Sequence, residues 1–462
     1  MMSTRRLSLV ALVVALAATA GGCSTINRLN PFDRDKSPQE QASEGERISI
    51  VAADQQLEVA EGLKGADFYL PAPEARADWP LPGATPEQAT GNIEGPAKLS
   101  VAWRKGFGAG SKRGAQVTAP PVVADGKVFV MDGEATVTAF DARGGGQAWR
   151  VDLRPDSKRD KEAFGGGLAY AGGKLYVTSG YRFAARLNAA TGAVEWKKSV
   201  EQPIHAAPTV AGGRVMAVAI DNTLMTFDAE TGEQGWTYQA LTESARILAA
   251  SSPAVSGDTV VASFGSGELV ALRAANGVDL WSETLSRANR SNALSEIRDI
   301  PGRPVIFQGD VFAVSHSGVM AATDLRTGAA RWTLPIAGVT TPLPVGDVVF
   351  VVARDGRVIC IARDSGQVYW IKDLNTGVEA AKKGFLGLGG KKKAVRPLWS
   401  SPVLVANRLV IGSSTGQLVA LNAKTGATEE TLSLGAPVLI GPISAGGTVY
   451  VATDEAQLVA LR

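Results

Sequence analysis

The sequence predicts an all-β protein whose body is a closed, eight-bladed β-propeller, and three observations support this. One unit of strands and glycine turns recurs about every 40 to 50 residues from Pro121 onward, a period typical of solenoids and propellers. The chain has 52 glycines and 45% hydrophobic residues, which suits a large all-β body with many turns. A lone strand at Leu99–Trp103 precedes the first unit. We therefore expect the propeller to span residues 99–462.

Residues 1–22 have the pattern of a lipoprotein signal peptide. The apolar run from Leu7 to Ala20 is too short and too early for an ordinary membrane span. The segment Ala20-Gly21-Gly22-Cys23 resembles the lipobox of bacterial lipoproteins, which implies acylation of Cys23. Ser24 after the cysteine implies delivery to the periplasmic face of the outer membrane. The alternative is an ordinary secretory signal that leaves Cys23 unmodified.

Residues 23–98 are interpreted as a tether and N-terminal extension. They are rich in Pro, Glu, Gln and Ala, a composition typical of linkers. Such a segment can span the distance from a lipid anchor to a folded body. Parts of it, such as Asp78-Trp79-Pro80, can pack against that body.

Each repeat carries the same signals in the same order: a Pro-x-Val start, two glycine turns, a strand ending in Ala-x-Asp, a Thr-Gly turn and a strand with tryptophan. The copies are Pro121–Trp149, Leu168–Trp196, Pro208–Trp236, Pro253–Trp281, Pro304–Trp332, Pro342–Trp370 and a seventh from Pro402, in which Glu430 replaces the tryptophan. An eighth copy begins at Pro442 and lacks the last strand. We expect the N-terminal strand to complete that blade and close the ring, because closure hides the strand edges.

The recurring tryptophans are predicted to be structural. Each follows a turn in which a short carboxylate, as in Asp228, can accept backbone N–H bonds while the glycine takes positive φ. The indole then fills the gap between blades. Since equivalent residues recur in every blade, whereas a binding site breaks symmetry, packing is favoured over a substrate cage. The predicted blade-docking residues are Trp103, Trp149, Trp196, Trp236, Trp281, Trp332 and Trp370.

Several classes of function find no support in the sequence. The net charge is +2, which gives no electrostatic footprint for nucleic acid. His205 and His316 are the only histidines and lie in different repeats, so no metal or catalytic-triad spacing exists. With Cys23 acylated, Cys360 has no disulfide partner, and its apolar neighbours indicate a buried thiol. We therefore expect no enzymatic activity, no cofactor and no metal.

The Ala-x-Asp-x-x-Thr-Gly-x-x-x-Trp units resemble the tryptophan-docking repeats of quinoprotein dehydrogenases. A lipoprotein built from eight of them resembles the BamB family of the outer-membrane β-barrel assembly machinery, and this resemblance covers about Leu99 to Arg462. It implies a scaffold that binds the BamA insertase and other subunits of the assembly complex and assists folding and insertion of outer-membrane proteins. Direct binding of unfolded clients stays open.

The alternative is a periplasmic dehydrogenase that binds pyrroloquinoline quinone and calcium in its central channel. Such enzymes resemble one another in an adjacent cysteine pair and a cluster of calcium-binding acids, whereas Cys360 stands alone among apolar neighbours. This difference favours the scaffold. A cell-envelope sensor or adhesin is a third possibility, although no attached signalling domain is evident.

Two connections, Leu241 to Ser252 and Ser286 to Arg303, are longer than the others, and long connections are often functional. In the BamB family the insertase is held by a loop that pairs leucines with an arginine and by nearby aspartates. The positions that match here are Arg246, Ile247, Leu248 and Asp299. The alternative is that Asp299 caps a turn and Ile247 packs beneath its loop.

An insertion breaks the repeat between Asp373 and Arg396. It contains the basic and apolar segment 382–393, Lys-Lys-Gly-Phe-Leu-Gly-Leu-Gly-Gly-Lys-Lys-Lys. Such a segment can contact anionic lipid or a partner, but its composition favours a solvated loop.

Overall fold

The computed structural model describes residues 57–156, 164–242, 251–286, 297–376 and 396–462. The predicted signal peptide, residues 1–22, and Cys23 lie outside these ranges. Within them the secondary structure is β-strand, apart from one 3-10 turn at Glu61–Leu63. No helix in this part of the chain is long and apolar enough to cross a membrane.

The strands form eight sheets, which we number as blades in chain order. Blade 1 contains β3 (Val122–Ala124), β4 (Lys127–Met131), β5 (Thr136–Asp141) and β6 (Gln147–Asp152). Blade 2 contains β7 (Gly166–Ala171), β8 (Lys174–Ser179), β9 (Phe183–Asn188) and β10 (Val194–Ser199). Blade 3 contains β11 (Thr209–Ala211), β12 (Arg214–Val218), β13 (Thr223–Asp228) and β14 (Gln234–Gln239). Blade 4 contains β15 (Ala254–Ser256), β16 (Thr259–Ser263), β17 (Glu268–Arg273) and β18 (Asp279–Thr284).

The remaining four blades follow the same order. Blade 5 contains β19 (Val305–Phe307), β20 (Asp310–Val314), β21 (Met320–Asp324) and β22 (Ala330–Leu334). Blade 6 contains β23 (Leu343–Val345), β24 (Val348–Val352), β25 (Arg357–Ala362) and β26 (Val368–Asp373). Blade 7 contains β27 (Val403–Val405), β28 (Arg408–Gly412), β29 (Gln417–Asn422) and β30 (Thr428–Ser433), with β1 (Asn92–Ile93) added in parallel to β27. Blade 8 contains β31 (Ile443–Ala445), β32 (Thr448–Ala452), β33 (Gln457–Leu461) and β2 (Val101–Gly106).

The predicted all-β, eight-bladed propeller is confirmed. Within each blade the four strands are antiparallel, and the first three are largely buried because neighbouring blades cover both faces, as in the fully buried β24. The fourth strand alternates between exposed and half-buried residues, as in β18. This burial pattern follows the hydrophobicity of the repeat. In blade 8, β2 pairs antiparallel with β33, with Trp103 opposite Ala460.

Tryptophans of the fourth strands pack on the Thr-Gly or equivalent turn of the next blade. At each of these turns the glycine has φ between +68° and +78°, and a Cβ there would lie 2.5 to 3.0 Å from the indole. The tryptophan–glycine pairs are Trp103–Gly145, Trp149–Gly192, Trp196–Gly232, Trp236–Gly277, Trp281–Gly328, Trp332–Gly366 and Trp370–Gly426. The indole N–H commonly donates to a carbonyl of that turn, as Trp236 does to Ala274 O at 3.0 Å.

The junction between blades 7 and 8 is built differently. Blade 8 has no Thr-Gly turn, because its third and fourth strands come from opposite ends of the propeller sequence. Glu430 occupies the tryptophan position, opposite Ala420 of the neighbouring strand. Its carboxylate accepts the Leu99 backbone N–H at 3.0 and 3.1 Å and lies 3.3 Å from Arg408. At this junction a hydrogen bond between the Glu430 carboxylate and Leu99, just before β2, therefore replaces the indole–glycine contact.

We predict that Gly232→Ala lowers the free energy of unfolding by about 2 to 3 kcal/mol. Roughly 1 kcal/mol comes from placing Ala at positive φ, and the rest from the Cβ, which would lie 2.7 Å from the Trp196 ring. Gly213→Ala is the matched control in the same blade, since Gly213 has φ +73° but nothing within 4 Å of its Cβ position. Urea unfolding measures both, and equal losses would mean that the indole–glycine contact contributes nothing.

Residues 57–98 lie along the propeller rather than away from it. Phe68, Trp79 and Ile93 are buried, at 5%, 2% and 1% exposure. Hydrogen bonds reach every blade: Trp79–Val123, Tyr170–Pro80, Gln88–Thr209, Val255–Pro86, Ile306–Glu87, Asp347–Tyr69, Ala406–Ile93 and Gly446–Arg76. Five of these contacts are with residues of the first strands and three, at Asp347, Ala406 and Gly446, are at the turn that follows a first strand. This part of the extension therefore runs along the first strands and the turns that follow them.

Candidate functional site

The end of the ring opposite the extension is formed by the connections between blades. Each connection joins the fourth strand of one blade to the first strand of the next, so with antiparallel strands it lies away from the turn that the extension contacts. We call this end the connection face. Parts of four connections, residues 157–163, 243–250, 287–296 and 377–395, lie outside the described residues.

The predicted partner-binding residues belong, by their sequence positions, to two of the connections between blades. Arg246, Ile247 and Leu248 lie outside the described residues, as does the basic segment 382–393. Asp299 is described, and its side chain is buried at 1% exposure. Its backbone oxygen accepts the His316 N–H at 2.8 Å, which holds this segment against blade 5. The sequence predicts that the Asp299 carboxylate contacts a partner at the surface, but in the structure this side chain is buried. The role of Asp299 in partner binding stays a prediction.

Exposed apolar side chains on the connection face are a feature that the sequence analysis missed. Leu241, Leu398, Leu439 and Val339 are 67%, 58%, 46% and 40% exposed. Leu241 directly precedes the segment that contains Arg246, Ile247 and Leu248, and its backbone N–H donates to Glu268 at 2.8 Å. Single leucines in irregular connections carry no periodic signal, because periodicity distinguishes faces only within strands and helices.

The centre of the connection face holds a cavity of about 260 Å³. Residues at or just before the first strands of successive blades line this cavity. Among them are Thr118, Gly166, His205, Ser251, Thr341 and Ser401. Arg303 also lines it, and burial lowers the pKa of Arg303 to about 10. The guanidinium therefore stays charged at neutral pH. The described lining mixes polar and apolar residues and contains this one cationic side chain.

The described residues offer binding surfaces more readily than reactive groups. The Cys360 side chain is fully buried in blade 6, and burial raises the pKa of its thiol well above the ordinary value. His205 and His316 belong to different blades, and His205 packs on the Phe164 ring with 5.2 Å between centroids. Within the described ranges no three His, Cys, Asp or Glu side chains are grouped to hold a metal ion.

The comparisons with known proteins agree with this architecture. Residues 133–372 and 377–462 match the model of the family described as outer membrane protein assembly factor BamB. The chain is 24% identical to the Moranella endobia protein of that name over 345 residues, covering 74% of this chain and 84% of that protein. It is likewise 24% identical to the Escherichia coli K12 protein of that name over 310 residues, covering 66% and 74%.

Two solved structures show the same fold. BamB from Moraxella catarrhalis superposes with a TM-score of 0.64 at 18% identity, covering 79% of this chain and all of that one. Quinohemoprotein alcohol dehydrogenase from Comamonas testosteroni gives a TM-score of 0.64 at 16% identity, covering 83% and 80%. At such identities the likeness concerns the fold alone, which a scaffold and an enzyme can share.

Proposed function

We propose, since this chain belongs to the BamB family of outer membrane protein assembly factors, that it is a lipid-anchored scaffold which docks on the BamA insertase. In this role it assists the folding and insertion of outer-membrane proteins from the periplasmic face of the outer membrane. The anchor is the acylated Cys23. Other subunits of the assembly complex and unfolded clients are further partners consistent with this role.

The observation that carries the docking proposal is the asymmetry of the ring. Residues 57–98 lie along the first strands and the turns that follow them, whereas the connections between blades expose apolar side chains, among them Leu241, which precedes the predicted partner loop in the sequence. Apolar anchors rimmed by polar groups are typical of protein interfaces. We therefore place the insertase on the connection face between blades 3 and 4, with Leu241 contributing beside Arg246, Ile247 and Leu248.

We predict that Leu241→Asp weakens capture of the BamA periplasmic domains at least tenfold, because a carboxylate would be desolvated at the apolar contact. A tenfold change corresponds to about 1.4 kcal/mol. Binding is measured by surface plasmon resonance with the folded chain. Leu398→Asp is the control, since Leu398 is similarly exposed on the same face but lies between blades 6 and 7.

The control is expected to change the dissociation constant less than twofold. Both variants should have the same melting temperature as the parent protein. Leu248→Ala tests the loop contact that the family resemblance implies, and it should also weaken capture. If Leu241→Asp and Leu248→Ala both bind normally, the insertase does not dock between blades 3 and 4.

A further inference from the structure

We propose that the central cavity of the connection face binds a small carboxylate ion, with Arg303 as the cationic group that receives it. This site is separate from the proposed docking position at Leu241. Three features support it: a charge that the described residues leave without a counterion, serine and threonine residues in the cavity wall, and an apolar mouth.

Arg303 has no carboxylate within ion-pair distance in the described ranges. Its backbone N–H donates to Thr341 Oγ1 at 3.2 Å, but its buried Nε has no acceptor among the described residues. Arg303 as a whole is half-buried. Two arginines that are more deeply buried do meet carboxylates: Arg186 lies 2.7 Å from Glu195, and Arg408 lies 3.3 Å from Glu430. Removing an unpaired charge from water is unfavourable, so a bound anion would offset the desolvation penalty of the Arg303 guanidinium.

The cavity has the form expected for an anion with an apolar part. The Thr341 and Ser401 hydroxyls lie in its wall, and Ser401 Oγ accepts the Thr341 backbone N–H at 2.9 Å. Val339 and Leu439 also line it, and both are partly exposed. A carboxylate can thus meet the guanidinium and hydroxyls while its hydrocarbon part contacts the apolar side chains.

The size of the cavity suits a small ligand. Its 260 Å³ is several times the roughly 30 Å³ that one water molecule occupies in the liquid. A separate gap of about 40 Å³ adjoins Arg303 and is lined by Trp79, Pro82 and Thr90 of the extension. The extension thus lies behind the arginine, and the ligand would enter from the connection face.

Isothermal titration calorimetry with benzoate tests the proposal on the whole mature protein in a low-chloride buffer. Benzamide is the neutral isostere, and we expect benzoate to bind at least tenfold more tightly. A free metabolite and an acidic side chain of a polypeptide would supply the same carboxylate. The blocked peptide acetyl-Ala-Asp-Ala-amide distinguishes them: tighter binding of benzoate indicates a free small molecule, and tighter binding of the peptide indicates a polypeptide source.

Arg303→Met should weaken benzoate binding at least tenfold without lowering the melting temperature, because it removes an unpaired buried charge and keeps the chain length. Arg150→Met is the control, since Arg150 is exposed on β6, and it should bind as the parent does. Val339→Glu, at the exposed mouth, should weaken binding at least fivefold by repulsion. The proposal is wrong if the parent protein binds neither benzoate nor the peptide. It is also wrong if both the Arg303 and Val339 variants bind benzoate normally.

Discussion

Trp79→Ala is expected to lower the free energy of unfolding by about 3 to 5 kcal/mol, the usual loss for truncating a buried tryptophan. Trp79 is 2% exposed and packs in the cluster that contains Val123, Leu458 and Tyr450. Its backbone also exchanges hydrogen bonds with Val123 at 2.7 and 2.9 Å. The substitution would therefore leave a cavity between the extension and blades 1 and 8.

Tyr69→Ala is the matched control in the same extension, because the Tyr69 side chain is 63% exposed. It should change the free energy of unfolding by less than about 0.5 kcal/mol. Urea unfolding gives both values, and limited proteolysis should cut residues 57–98 faster in the Trp79 variant alone. Equal stability of the two variants would mean that the extension contributes nothing to the folded ring.

Cys23→Ala is expected to move nearly all of the protein from the outer-membrane fraction to the soluble periplasm. Each buried CH₂ of an acyl chain contributes about 0.8 kcal/mol to membrane binding, so loss of the chains on Cys23 removes the anchor. Fractionation of cells followed by immunoblotting measures the distribution. Cys360→Ala is the control, because it removes the other cysteine from the buried centre of blade 6.

Retention by a partner would mask the loss of the anchor, so the substitution is also combined with Leu241→Asp. The double variant should be fully soluble if docking contributes. If it still sediments with the outer membrane as the parent does, lipidation at Cys23 does not determine the location.

The fold was predictable because six blades carry both the glycine turn and the tryptophan strand, and blades 7 and 8 carry one of the two features each. The glycine turn and the tryptophan strand recur in register, so the number of blades could be counted without knowing any long-range contact. The packing of residues 57–98 was predicted only in part, at Asp78-Trp79-Pro80, and its full course was not predictable. Phe68, Trp79 and Ile93 lie in a segment without periodicity, and its partners are spread over eight blades. Its composition therefore suggested a tether.

The candidate sites show the same limit at the scale of one connection. The sequence predicted a partner-binding role for Asp299 at the surface. No role was predicted for Arg303, which is only the last residue of a long connection. In the structure Asp299 is buried, and Arg303 lines the central cavity. Irregular chain between blades has no period that distinguishes inward from outward side chains, so their directions depend on contacts that only the assembled ring provides.

The pairing of β2 with β33 has a consequence for how quickly the protein folds. Contacts such as Leu99 with Glu430 join residues 331 positions apart. Closing such a loop costs conformational entropy before its hydrogen bonds can form. Proteins rich in distant contacts fold slowly. A chain that emerges N-terminus first cannot place β2 until residues 457–461 have followed. Until then the first blade and the most recently formed blade each lack one neighbour, so the ring cannot close before the last blade is present.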